Sequence, residues 1–330
     1  MCVIMGIGSF METRITHVIA FAACCIAFSS CSINKLAMNV VADALAGEGS
    51  ADVFTGDSDP QLVGDAIPFA IKMYETLLSA NPEHQGLLNT TGSMFVMYAN
   101  AFVQGPAEML PRTRYAEREA GMARAKNLYL RGMDILYRGL NLKYPGFSGA
   151  FQNGRLPEIL ARMNRTDVPA LYWSSAAGLS AYSLNPFDME LGVRIPEFYA
   201  MVSRAYELDP GFNSGALDEF LLMFHASIPA QMGGDISMIE VHFQRALERS
   251  GGLLASPYVS YAQTVSIPAQ NYDRFREMLE IALALDPNLN PSSRLMNIIA
   301  QQKAKYLLDS AAQFFVDFDT GDDWDDEEDW

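Results

Sequence analysis

Two stretches of the chain end alike. Ala205-Tyr206-Glu207-Leu208-Asp209-Pro210 and Ala282-Leu283-Ala284-Leu285-Asp286-Pro287 both read Ala-x-x-Leu-Asp-Pro after an amphipathic run. A small Ala lets two helices approach closely and Leu closes the apolar stripe. Pro cannot continue the hydrogen-bond ladder, so the chain must turn. Looser copies occur at Leu77 to Pro82 and Leu140 to Pro145. A chain that ends its helices in this way repeatedly is constrained to stack helix pairs, because one pair alone cannot bury its apolar face.

The prolines at 82, 145, 210 and 287 lie 63, 65 and 77 positions apart. That is about twice the roughly 34-residue period of a tetratricopeptide repeat. Alternating strand patterns are nearly absent; Val193-Arg194-Ile195 and Phe314-Phe315-Val316 are too short to judge. The predicted fold is therefore all-α, a cryptic tetratricopeptide-like superhelix of four helix pairs with extra helices at both ends. First members are expected at Leu87 to Gln104, Val168 to Leu184, Ser214 to Ile228 and Ser256 to Ile267. Second members are expected at Tyr115 to Lys143, Ile195 to Leu208, Ile236 to Ser250 and Tyr272 to Leu285. Asp65 to Ala80 supplies the leading helix, and a last helix from Asn290 to about Phe315 caps the stack. Tyr144 to Thr166 breaks the period, as an inserted loop or a further short helix.

The N-terminus reads differently. Met11-Glu12-Thr13-Arg14 precedes an apolar run from Val18 to Phe28, then Ser29-Ser30-Cys31. This is the layout of a secretory signal peptide, with Met11 as the expected start, and the run is too short for an ordinary membrane span. Small residues before Cys31 resemble a bacterial lipobox, which makes Cys31 the expected lipid attachment site. The expected organisation is a signal peptide at 1–30, a lipidated segment and linker at 31–60, a helical-repeat domain at 61–316 and an acidic disordered tail at 317–330. All four cysteines (Cys2, Cys24, Cys25, Cys31) lie in the leader, so no disulfide or cysteine-based metal site is expected in the body.

Charge narrows the partners. Lys and Arg number 23 against 39 Asp and Glu, a formal charge of -16 that repels phosphate backbones and argues against nucleic acid. Much of it is local, in the run from Asp317 to Asp329 that has no basic residue; Trp324 and Trp330 within it are exposed anchors if the tail docks.

Catalytic chemistry has little to work with. After the leader the histidines are His84, His225 and His242, with no His-Glu-x-x-His spacing. Ser148 lacks the glycine spacing and strand context of a nucleophile elbow, and no Gly-x-x-x-x-Gly-Lys is present. The expectation is a non-enzyme with no cofactor and no metal site.

The pair ending at Pro210 carries Trp173-x-x-Ala176-Ala177-x-x-Ser180, similar to the Trp-x-x-Leu-Gly-x-x-Tyr of tetratricopeptide repeats. Roughly nine extra residues around Leu184 to Asp188 make the repeat cryptic. Together with the loose lipobox, Ala205 to Phe212 and the acidic Trp-containing tail, the chain resembles the TatT family over about residues 31 to 316. These are tetratricopeptide-containing lipoproteins that accompany tripartite ATP-independent periplasmic (TRAP) transporters. The resemblance implies a membrane-anchored, periplasm-facing homotrimer. Its protomers would each hold an apolar-lined hole, and it would partner the transport system's substrate-binding protein.

Two functions follow. In one, the first helices form a surface that receives a hydrophobic or amphipathic small molecule. Tyr98, Phe102, Trp173, Tyr182, Tyr261 and Thr264 then project inward, with Asn100 and His225 as polar contacts. The plainer reading is that these aromatics fill the core between paired helices. In the other, the protein is a ligand-free, lipid-anchored scaffold for envelope proteins.

Overall fold

A computed structural model of the chain describes residues 52–316, with Asp43, Ala44 and Gly47 before them. The expected signal peptide, Cys31 and the acidic tail lie outside the described residues. Among the described residues every regular element is a helix. The long ones are α1 (Pro60–Ala80), α2 (Gln85–Tyr98), α3 (Tyr115–Lys143), α4 (Val168–Ser183) and α5 (Ile195–Leu208). They continue with α6 (Ala216–Ser227), α7 (Ser237–Ser250), α8 (Ser256–Tyr261), α9 (Tyr272–Ala284) and α10 (Arg294–Asp309).

Local chemistry sets most of these ends. Asp59 caps α1 by accepting from the amides of Gln61 and Leu62, with Pro60 at the first turn. Asn271 caps α9 through the amide of Arg274. Pro169, Pro196 and Pro257 occupy first turns, where their missing N–H has no ladder partner to lose.

Several expected boundaries shift. α6 starts at Ala216 rather than Ser214, because Asn213 (φ 45), Ser214 (φ 54) and Gly215 (φ 102) are all left-handed and complete the reversal after Pro210. The break from Tyr144 to Thr166 folds as two short helices, Phe147–Ala150 and Leu156–Leu160. The linker before α1 contains a further turn of helix, Asp52–Thr55. Helical structure also continues past Gln104 to Glu108.

Consecutive helices pack as pairs: α2 with α3, α4 with α5, α6 with α7, and α8 with α9. The first helices also lie side by side, α2 against α4 and α6 against α8, while the Tyr172 ring of α4 meets Phe220 of α6 at 6.3 Å. Glycines permit the tightest crossings. A Cβ on Gly132 would sit 2.8 Å from the Gly92 carbonyl, so α2 and α3 touch backbone to backbone there.

The array comes back on itself. α10 packs against Asp52–Thr55 and α1, and Arg294 donates to the Gly56 carbonyl at 3.0 Å. Lys303 pairs with Glu108 beyond α2, and the Tyr306 hydroxyl donates to the Glu108 carbonyl. These bonds join residues roughly 200 positions apart and tie the last helix to the first hairpin.

Candidate functional site

Two helices carry the same distortion. α2 is prolonged by a π-helical stretch, Ala99–Gln104, and α8 by another, Ala262–Ser266. In each the wide bond closes just before a proline: Gly105 N–H to the Asn100 carbonyl before Pro106, and Ile267 N–H to the Ala262 carbonyl before Pro268. A proline ring collides with the carbonyl four residues back in an α-helix, and widening the turn moves that carbonyl aside. After the first stretch helical structure continues through Pro106 to Glu108, whereas the second ends its helix at Ser266 and a turn follows.

Around the first π stretch lies a polar cluster. The fully buried Tyr129 hydroxyl donates to Gln104 Oε1 at 2.6 Å and also bonds Asn100 and Ser180, while Gln104 Nε2 donates to Glu108 at 2.7 Å. Lys303 completes it as the counter-charge to Glu108, both side chains being mostly covered (14% and 19% exposed).

The second π stretch adjoins a different arrangement. Ser256 and Ser260, one turn apart on α8, each donate to Glu219 on α6 at 2.7 Å, one to each carboxylate oxygen. No cation is paired with Glu219 among the described residues; burial pushes its pKa up, against the two hydroxyls. Tyr172 of α4 lies near enough for the carboxylate to add to the rise that burial imposes on its phenol. Glu219 and Tyr172 are each only half-buried, so water-sized molecules reach both residues.

Two histidines sit together between α6 and α7. His225 is buried and accepts the Asp235 amide at Nδ1, 3.1 Å away, while its ring stacks on His242 at 5.6 Å. His242 bonds the fully buried Asp218 at 2.8 Å, and Asp218 also receives Arg249 at 2.6 Å.

The eight expected site residues are not gathered into one cleft. Phe102 is seated on Gly64 of α1 and stacks with Tyr98 at 6.0 Å, and the Tyr98 hydroxyl accepts from Arg124 of α3. Tyr261 lies against Phe243 of α7 at 4.5 Å with Arg274 over its ring, and Tyr182 packs over Gly192. Asn100 is exposed beside Tyr129. Trp173 meets Tyr172 edge-on at 5.0 Å, and Thr264 donates to the Ser260 carbonyl at 2.7 Å. Two clefts of about 220 and 370 Å³ lie instead along α3, toward Asp167 and toward Glu75, and none of the eight lines either.

Glu219, Ser256, Ser260 and Tyr172 were not among the expected residues. The sequence signals only the π turns: Ser93-Met94-Phe95-Val96-Met97-Tyr98-Ala99-Asn100 and Ser256-Pro257-Tyr258-Val259-Ser260-Tyr261-Ala262-Gln263 share Ser-x-(Phe/Tyr)-Val-x-Tyr-Ala-(Asn/Gln), and both run into them.

Comparison with known proteins places this helical body. A model of the TRAP transporter T-component family matches residues 56–315, nearly the whole described region. The chain belongs to that family. This bears out the resemblance read from the sequence and gives the T-component an accessory role associated with a TRAP system. A protein of Treponema pallidum (strain Nichols), described only as an uncharacterized protein, is 34% identical over 315 residues, covering 89% of this chain and 98% of its own length. No helix among the T-component's described residues is long and apolar enough to cross a membrane.

Proposed function

We propose that this T-component is a periplasm-facing lipoprotein, anchored through Cys31, that binds the substrate-binding protein of its TRAP system and receives a small, partly apolar ligand between its first helices. The observation that carries the ligand reading is Glu219, a half-buried carboxylate held by two serine hydroxyls without a paired cation among the described residues, beside the half-buried aromatic Tyr172. Closure of the array by α10 supports it, since a closed ring of helices has an inner face that differs from its outer one. Homotrimer formation is proposed with it, from family likeness alone. A ligand-free scaffold is the second reading, favoured by Phe187 (91% exposed) and Met189 (75%), which offer apolar contact area on the outside.

The test is association. The chain without its leader and lipid should co-sediment with a TRAP-type substrate-binding protein in analytical ultracentrifugation. Two independent species at micromolar concentration would overturn the partner assignment. Mass spectrometry of material extracted from the purified protein should yield a bound small molecule. A protein that extracts clean, yet still binds its partner, would favour the scaffold.

A further inference from the structure

We propose that Glu219, Ser256, Ser260 and the face of Tyr172 form a recognition site for the ammonium group of an amphiphilic organic cation. The proposal deepens the ligand-receiving function and rests on it only for access to the inner space.

Three elements converge here. α6 supplies the carboxylate and α8 the two hydroxyls, each 2.7 Å from its oxygen. α4 supplies Tyr172, whose ring is braced by Trp173 at 5.0 Å, Phe212 at 5.4 Å and Phe220 at 6.3 Å. An ionised carboxylate has about four acceptor positions, and the serines fill two, so half of its capacity is left for further donors.

The sign of the ligand follows from what is missing. The fully covered carboxylates have cations: Asp167 has Lys143, Glu197 has Arg194, and Asp218 has Arg249. Glu219 has hydroxyl donors alone, and burial without a counter-charge disfavours its ionised form. A ligand ammonium would supply both the charge and the missing donors, and the electron-rich faces of an aromatic cluster favour the same sign. A metal ion fits less well. No group of three or more His, Cys, Asp or Glu is arranged to hold one among the described residues, and one carboxylate with two hydroxyls leaves a hard cation under-coordinated. The aromatic and apolar surroundings suit an alkyl tail behind the charged head.

Helix register offers a competing role. Glu219 lies in the first turn of α6, where a negative charge is favourable in itself. Its side chain is nevertheless committed to α8, so it also clips two helices together. The experiment must separate a clip from a site.

Isothermal titration with n-octylammonium, n-octanol and n-octanoate, on the chain without its leader, does so. Octylammonium should bind best. Glu219→Gln should weaken it by about tenfold or more while leaving octanol unchanged. Tyr172→Leu should weaken octylammonium in the same direction and serves if Glu219→Gln fails to fold by circular dichroism. Equal affinity for all three probes, or a Glu219→Gln variant that melts lower but binds octylammonium as before, would overturn the site. No probe binding alongside intact association with the substrate-binding protein would also overturn it, and would leave the accessory function standing.

Discussion

Gly178 lies where α4 crosses α5, and an alanine there tests how closed that crossing is. A Cβ at Gly178 would stand 2.3 Å from Cζ, 2.4 Å from Cε1 and 2.7 Å from Cε2 of Phe198. Carbon pairs are comfortable at about 3.5–4.0 Å, so the ring must retreat by more than about 1 Å. It has little room: Phe198 is fully buried, the Arg194 guanidinium lies 5.3 Å from its centroid, and its carbonyl is bound by Ser175. Overpacking of this kind costs about 1–3 kcal/mol, and contact with three ring atoms argues for the upper part of that range. Replacing a helical glycine by alanine returns about 1 kcal/mol, so Gly178→Ala should destabilise by about 1–2 kcal/mol net. In a Phe198→Leu background the colliding ring atoms are gone, and the same substitution should stabilise by about 1 kcal/mol. Urea titration of the four chains, followed by circular dichroism, closes the cycle. A coupling of about 2–3 kcal/mol is expected, and additivity within about 0.5 kcal/mol would refute the packing argument.

Asp218→Ala should cost about 3–5 kcal/mol in the same assay, because it strips Arg249 and His242 of a fully buried partner; a loss below about 1 kcal/mol would mean water replaces the carboxylate. Burial, and then the neighbouring His242, hold the His225 pKa below its ordinary value, with Asp235 acting weakly the other way. The unfolded chain therefore takes up a proton more readily than the folded one, and stability should fall as pH drops below about 6.5. His225→Gln should flatten that dependence between about pH 7 and 5, and an unchanged slope would count against it. Lys303→Ala should speed amide exchange both in α10 and in residues 105–114; acceleration confined to α10 would show that the closing contacts do not couple the two ends.

Most of the helical layout was legible because Pro and Asx residues punctuate it. Asp209-Pro210 and Asn271 act where the sequence places them, whereas α1 begins at Pro60 rather than the expected Asp65, because Asp59 caps it there. What escaped was tertiary. Pro106 reads as a stop, but a π turn absorbs its ring and helix continues to Glu108, whereas the helix before Pro268 does end there, as expected. Ser214 reads as a cap, but its left-handed backbone belongs to a turn closed against Ala246 of α7, 3.1 Å from where a Gly215 Cβ would be. Of the expected site residues, Tyr98, Phe102 and Tyr261 are aromatics that periodicity puts on an apolar face, and packing uses them between helices. Glu219 was illegible for the opposite reason: a single acid in the first turn of a helix looks solvated until the serines of a distant helix are found on it.

A helical array with free ends can gain or lose a unit and remain folded, since each unit answers only to its neighbours. The bonds from Arg294, Lys303 and Tyr306 to residues 56 and 108 remove that freedom. Insert or delete one hairpin, and the terminal helix no longer meets the place it fastens to. The number of units is thereby fixed by geometry, and length variation in such a chain is pushed into the connections between helices, such as the one from α4 to α5 that carries Phe187.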